Sequence, residues 1–182
     1  DIRAYRPESA SLSNGQVLST PYDADKARVV IHEMADAAAL RLVRKRLVTN
    51  QITVTIGYDA SNLTDPEISP DYDGKVRTDH YGRKVPKHSN GTVRFESHTS
   101  STRLIAEAAV KLYNDIVNPD LLIRRLNIST DNLTSESTTD SHSAPEQLNL
   151  FTDYEQLERK RKSEAEERAK ERRMQETLID IK

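Results

Sequence analysis

The chain contains no cysteine, so neither a disulfide nor a thiolate nucleophile is open to it, which fits a reducing compartment. It has no apolar run near the roughly 18 residues that a membrane span requires, and nothing at its start reads as a signal peptide. A soluble, cytoplasmic protein is the expectation. Apolar residues are also scarce. With 35% of 182 residues apolar and 31% charged, one core cannot absorb the whole length, so a domain with appendages is expected. The first residue is Asp1, and "DIRAYRPESA" reads like the interior of a longer protein.

Signatures of catalysis are equally scarce. No G-x-x-x-x-G-K-[ST] cradle occurs, and no G-x-G-x-x-G follows a strand, so nucleotide hydrolysis has no support. The histidines at 32, 80, 88, 98 and 142 are scattered without the spacing of a zinc site. "DYDG", Asp71 to Gly74, begins like a calcium loop, but Lys75 stands where an oxygen ligand is wanted and the bidentate Glu is missing. This chain is expected to carry no cofactor and no metal. A net charge of -2 argues against a generically cationic nucleic-acid binder. Clusters at Arg44, Lys45 and Arg46 and at Arg124 and Arg125 still permit a local basic surface.

What the chain does have is periodicity. "ASLSNGQVL" opens as a strand, with Ala10 and Leu12 on one face and Ser11 and Ser13 on the other. Pro21 and Asp23 announce a helix, in which Ile31, Met34, Ala38 and Leu42 form one buried stripe. "QITVTIGYD" alternates Ile52, Val54, Ile56 and Tyr58 against Thr53, Thr55 and Gly57, the pattern of a half-buried strand. Residues 62–90, rich in Pro and Gly, read as a long loop or hairpin extension. "GTVRFES" is a third strand, with Val93 and Phe95 on one face and Thr92, Arg94 and Glu96 on the other. "HTSST" then caps a helix striped by Leu104, Ile105, Ala108, Leu112 and Ile116, which stops at Asn118-Pro119. "LLIRRLNIS" is a fourth strand, in which Arg124 shares a phase with Leu126 and Ile128, so a bulge is expected there.

The order β-α-β-β-α-β predicts an α+β fold: a four-stranded, mainly antiparallel sheet with two helices on one face. The uncovered face would carry Ser11, Ser13, Thr53, Thr55, Thr92, Arg94, Arg125 and Asn127. An RNA-recognition sheet would stack bases on aromatic rings, but here Thr and Arg hold those positions while Phe95 and Tyr58 turn toward the helices. Hydroxyls, amides and guanidinium groups suit phosphate oxygens instead, and so a duplex held without reading its sequence. The alternative is a ferredoxin-like interaction or regulatory module that never touches DNA, for which an apolar open face is the mark.

Beyond Ile128 the chain turns to "STDNLTSESTTDSHSAPE", a flexible linker by composition. Residues 153–182 follow as a charged helix with Glu-to-Arg pairs four apart, such as Glu155 with Arg159 and Glu164 with Arg168. A solvated helix is the simpler reading, with Met174, Leu178 and Ile181 as a possible docking stripe. Between linker and helix stands "QLNLF". Its glutamine can fill a polar slot while Leu148, Leu150 and Phe151 anchor in an apolar cleft on a partner, as a short linear motif requires.

Taken together, "SLSNGQVL", "ADKARVVIHEMADAAALRLV", "ITVTIGYD", "TSST" and "IRRLNIS" resemble the little finger domain of Y-family translesion DNA polymerases, nearest the bacterial UmuC-like or DinB-like branch. The resemblance covers about residues 8–131, with residues 1–7 as the end of an interdomain linker, 132–152 as a tether and 153–182 as the charged helix. It implies a DNA-binding domain joined to palm, fingers and thumb, which grips the backbone of a template-primer. Phosphate contacts would fall to Arg3 and Arg6, to Ser11, Ser13 and Asn14, to Thr92 and Arg94, and to Arg124 and Arg125. The resemblance places the catalytic carboxylates and their magnesium ions in the palm, so this chain alone should not polymerise DNA. It also makes Gln147, Leu148, Leu150 and Phe151 a bacterial sliding-clamp motif. The full protein would act in lesion bypass and DNA repair, and a monomer is expected. The long 62–90 segment and the low net charge depart from the family pattern.

Overall fold

The computed structural model describes residues 10–65, 67, 72–139 and 154–181. Arg3, Arg6 and the segment holding Gln147, Leu148, Leu150 and Phe151 lie outside the described residues.

Four long strands form the sheet: β1 (Leu12–Tyr22), β2 (Leu47–Tyr58), β5 (Ser89–Thr99) and β6 (Ile123–Asp131), ordered β1-β6-β2-β5 with every neighbouring pair antiparallel. Helix α1 (Ala24–Lys45) joins β1 to β2, and α3 (Thr102–Ile116) joins β5 to β6. Each half is therefore a split β-α-β unit with a strand of the other half inserted between its own two. A consequence is that the ends of the domain meet: β1 and β6 are neighbours, and Leu133 N–H donates to the carbonyl of Ala10 at 3.1 Å.

The core follows from alternation. Ile52, Val54, Ile56 and Tyr58 of β2 and Leu126 and Ile128 of β6 are buried on one face. Onto them α1 presses Ala27, Ile31, Met34, Ala35, Ala39 and Leu42, and α3 presses Ile105, Ala106, Ala109 and Tyr113. Both helices start at side-chain caps: Asp23 accepts from Lys26 N–H and Ser101 from Leu104 N–H. Gly91 lets α3 come close to β5, since a Cβ there would lie 2.8 Å from Leu112 Cδ1 and 3.0 Å from Ile116 Cγ2. Two buried polar groups stitch the loops. Asn62, on the short helix α2 (Ser61–Thr64), donates to the carbonyls of Asp59 and Leu122 and accepts from Leu122 N–H. The Tyr113 hydroxyl donates to the Ala24 carbonyl at 2.7 Å, and burial pushes its pKa well up.

One feature narrows the sequence reading and two go beyond it. Within 62–90 the described residues form a hairpin, β3 (Val76–Thr78) with β4 (Lys84–Pro86). Residues expected to open a flexible linker instead extend the fold: β7 (Thr134–Ser135) pairs with Leu47 and Val48, and α4 (Glu136–Thr139) follows. A free edge at the start of β2 accepts them, and Glu136 N–H donates to the carbonyl of Arg46. Finally, α5 (Tyr154–Ile181) docks through polar groups while Met174, Leu178 and Ile181 stay exposed. Gln175 is buried and donates to the Ser100 carbonyl and Thr102 Oγ1, Glu171 accepts from Ser101 Oγ and Arg103 N–H, and Arg172 pairs with Glu136 at 2.8 Å.

Candidate nucleic-acid interface

The face of the sheet away from α1 and α3 is built of rows that the register fixes. Arg94, Gln51 and Asp131 form one row, and Thr92, Thr53, Ser129 and Ser13 the next. Then come Asn90, Thr55, Asn127 and Gly15, and last Gly57, Arg125 and Val17. Directly opposed residues in antiparallel strands share a face, so every side chain in these rows points away from the helices. Arg125 lies six residues along β6 from Asp131, about 20 Å at roughly 3.3 Å per residue. Two exposed guanidinium groups, Arg94 and Arg125, thus stand at opposite ends of a neutral polar strip.

Hydrogen bonds hold this strip in order. Arg94 Nε donates to Gln51 Oε1 at 2.8 Å, which aims the guanidinium along the face and leaves its remaining N–H groups for another acceptor. Thr53 shares a bond with Thr92 at 3.0 Å and reaches Asp131 Oδ2 at 2.9 Å, while Ser129 donates to Asp131 Oδ1 at 2.7 Å. Ser13 donates to Asn127 Oδ1 at 2.9 Å. Asp131 is the one carboxylate in these rows, and both its oxygens are engaged by hydroxyls.

The two neighbouring arginines of β6 part ways. The register slips between Gly57 and Tyr58, so Arg124 has no opposite partner on β2: this is the bulge that its phase in the sequence announces. Arg124 Nη1 donates to the Ser19 carbonyl at 3.0 Å and its Nε lies 3.7 Å from Asp59 Oδ2, tying the end of β1 to the end of β2. Arg125 is exposed on the open face. Ser11, Ser13 and Thr92 are also exposed there, whereas Asn14 pairs with Ile128 and so takes the helix-side face, because consecutive strand residues alternate. The basic triplet Arg44, Lys45 and Arg46 closes the C-terminus of α1, where cations offset the helix dipole, with Arg46 in the left-handed conformation at φ 54°. Among the described residues no three His, Asp or Glu side chains are grouped to hold a metal ion.

A hydrogen-bonded polar face backed by a packed core is what the two helices leave uncovered. The impB/mucB/samB family C-terminal domain covers residues 9–150, and the chain belongs to that family. The match is to that family's C-terminal domain, and the antiparallel sheet with two helices on one face is consistent with a little-finger-type architecture. No curated protein matches the chain. Among solved structures it is similar to an insertion ternary complex of Dbh DNA polymerase, with a TM-score of 0.43 and 13% identity over 69% of this chain and 29% of that one. The chain thus spans less than a third of that polymerase's length.

Proposed function

We propose that this chain grips the backbone of template-primer DNA for an error-prone Y-family polymerase that acts in translesion synthesis and DNA repair. The open sheet face carries the reading: its polar surface and two exposed guanidinium groups, Arg94 held along the face by Gln51, suit a ridge of phosphate oxygens. Arg94 and Arg125 make the charged contacts, and Thr92, Ser13 and Ser11 supply hydroxyls between them. Arg124 serves as the brace that sets the direction of Arg125. Arg3 and Arg6 continue the contact along the DNA on the polymerase side. Chemistry belongs to other domains of the same protein.

Recruitment is a separate role. Gln147, Leu148, Leu150 and Phe151 bind a cleft on the bacterial sliding clamp, which keeps the domain near primer ends by effective concentration and makes a modest DNA grip sufficient. The test is a titration of labelled duplex DNA at several salt concentrations. Affinity should fall steeply with salt, vary little with sequence, and drop about tenfold in Arg94→Ala/Arg125→Ala as two phosphate contacts are lost. Affinity independent of salt, or unchanged in that variant, would remove the sheet face from the interface. Calorimetry with a bacterial clamp tests recruitment, through loss of binding in Gln147→Ala/Leu150→Ala/Phe151→Ala.

A further inference from the structure

The β3–β4 hairpin connects the Tyr58 end of β2 to the Ser89 start of β5, so it springs from the end of the sheet where Arg125 lies. Its composition differs sharply from the rest of the chain. Residues 72–88 hold Lys75, Arg77, Arg83, Lys84 and Lys87 against Asp73 and Asp79, a net charge of +3 in a chain whose total is -2. All five cations are exposed.

The register sorts these charges. Val76 pairs with Pro86 and Arg77 with Val85, and Lys87 N–H donates to the Lys75 carbonyl at 2.7 Å. Lys75, Arg77 and Lys87 therefore share one face of the hairpin, and Val76 and Pro86 the other, where Pro86 is buried. The root is fastened as well, since Tyr72 packs against the core and donates its hydroxyl to the Lys75 carbonyl at 3.0 Å. Arg77 meets His88, and burial together with Arg77 and Lys87 holds the His88 pKa below its ordinary value.

The tip is built to display an aromatic ring. Asp79 accepts from Tyr81 N–H and Arg83 N–H, both at 2.9 Å, and pairs with the Arg83 guanidinium at 2.8 Å, while Gly82 takes φ 79° to close the turn. Tyr81 is thereby held 80% exposed, with the Arg83 guanidinium 5.4 Å from its ring centroid and the His80 ring at its edge. An aromatic ring in water gains nothing for folding, and this one is held out by four bonds to a single carboxylate.

We infer that the β3–β4 hairpin is a second nucleic-acid contact, in which Lys75, Arg77 and Lys87 hold backbone phosphates beyond Arg125 and Tyr81 stacks on an unpaired base. A cationic track leading to an exposed ring is the pairing that single-stranded nucleic acid requires, because phosphates supply affinity and every base offers a π-face. An anionic lipid surface would also use the cations and accept a tyrosine ring at its interface, so lipid vesicles form one arm of the test. This inference rests on the sheet face binding DNA, and it adds a preference that the sheet face does not supply: duplex with a single-stranded overhang over blunt duplex.

The experiment titrates the full chain with fluorescent blunt duplex and with duplex bearing a 5′ overhang. It compares wild type, Arg94→Ala/Arg125→Ala, Lys75→Ala/Arg77→Ala/Lys87→Ala and Tyr81→Ala, each checked for an unchanged thermal midpoint. Removing the three cations should reduce the slope of log affinity against log salt by roughly 2 to 3. Tyr81→Ala should weaken overhang binding about fivefold or more and leave blunt duplex unchanged. Wild type that binds neither DNA overturns the reading of the whole face. Binding lost in the sheet variant but identical in both hairpin variants overturns the hairpin contact alone. Hairpin-dependent binding to phosphatidylserine vesicles with DNA affinity unaltered would reassign the cations to a membrane and likewise overturn it.

Discussion

The two faces of the sheet are written in the same strands, one residue apart. On β2 and β6, Ile52, Val54, Ile56, Leu126 and Ile128 are almost wholly buried, while their neighbours Gln51, Thr53, Thr55, Asn127 and Ser129 line the open face. The helix-side face is held by burial of area, which is insensitive to direction. The open face is held by directed bonds, such as Thr53 to Thr92 and Arg94 to Gln51, which orient groups and add little net stability. Area burial and directed bonding are thus assigned to opposite parities of one sequence, and if the open face binds DNA as proposed, stability and affinity should be separable by substitution.

The largest effect belongs to the buried parity. Ile128→Ala removes a core side chain that is 1% exposed and should cost about 2 to 5 kcal/mol in chemical denaturation. A cost below about 1 kcal/mol would break the contrast. Gly91→Val tests how tightly the helices press on that face. Its side chain would meet Leu112 and Ile116, and a destabilisation of about 1 to 3 kcal/mol is expected. On the open parity, Asp131→Asn keeps hydrogen-bonding capacity toward Thr53 and Ser129 but removes the one carboxylate of the rows. Stability should move by no more than about 0.5 kcal/mol while DNA affinity rises a few-fold at low salt, and a loss of affinity would count against phosphate at this face.

The smallest effect lies at the start of α1 and sharpens the contrast by its pH dependence. Lys26 N–H, donating to Asp23, holds that carboxyl below the ordinary carboxylate range. A depressed pKa adds stability above the unfolded value and loses it as pH falls through the folded one. The difference in thermal midpoint between wild type and Asp23→Ala should therefore be present at neutral pH and shrink in acid, below about pH 4. DNA affinity at neutral pH should not change.

Strand and helix stripes were legible because burial on one face imposes a period, and even the bulge at Arg124 showed as a break in phase. What local pattern could not show was partnership across the chain. That Arg124 would meet Asp59 and the Ser19 carbonyl, leaving Arg125 alone to face outward, depends on residues far apart in sequence. Helix α5 read as solvated for a related reason: its charged sequence carries no apolar docking face toward this domain, yet contact is made by Gln175, Glu171 and Arg172, because the first turn of α3 presents polar groups that only polar side chains can satisfy. The hairpin was one of two readings of 62–90, and strands of three residues each were too short for alternation to choose between them. Arg94, Thr92 and Ser13 lie on the face that parity assigned them, whereas Asn14, grouped with Ser13 for phosphate contact in the sequence reading, pairs with Ile128 and falls on the helix side.

The bond between Leu133 and Ala10 has a mechanical meaning. Both ends of the domain leave from the same end of the β1–β6 pair, so a load applied between them opens the strands like a zipper, one bonded pair at a time from Leu12 and Thr130 inward. Strands drawn from opposite ends would instead have to shear all their bonds together. If a polymerase body pulls on one side and a clamp tether on the other, this domain is a soft link that yields gradually along that axis. An optical trap gripping the chain at Ala10 and Leu133 should record low, stepwise opening forces, and one abrupt high-force rupture would show the pair loaded in shear.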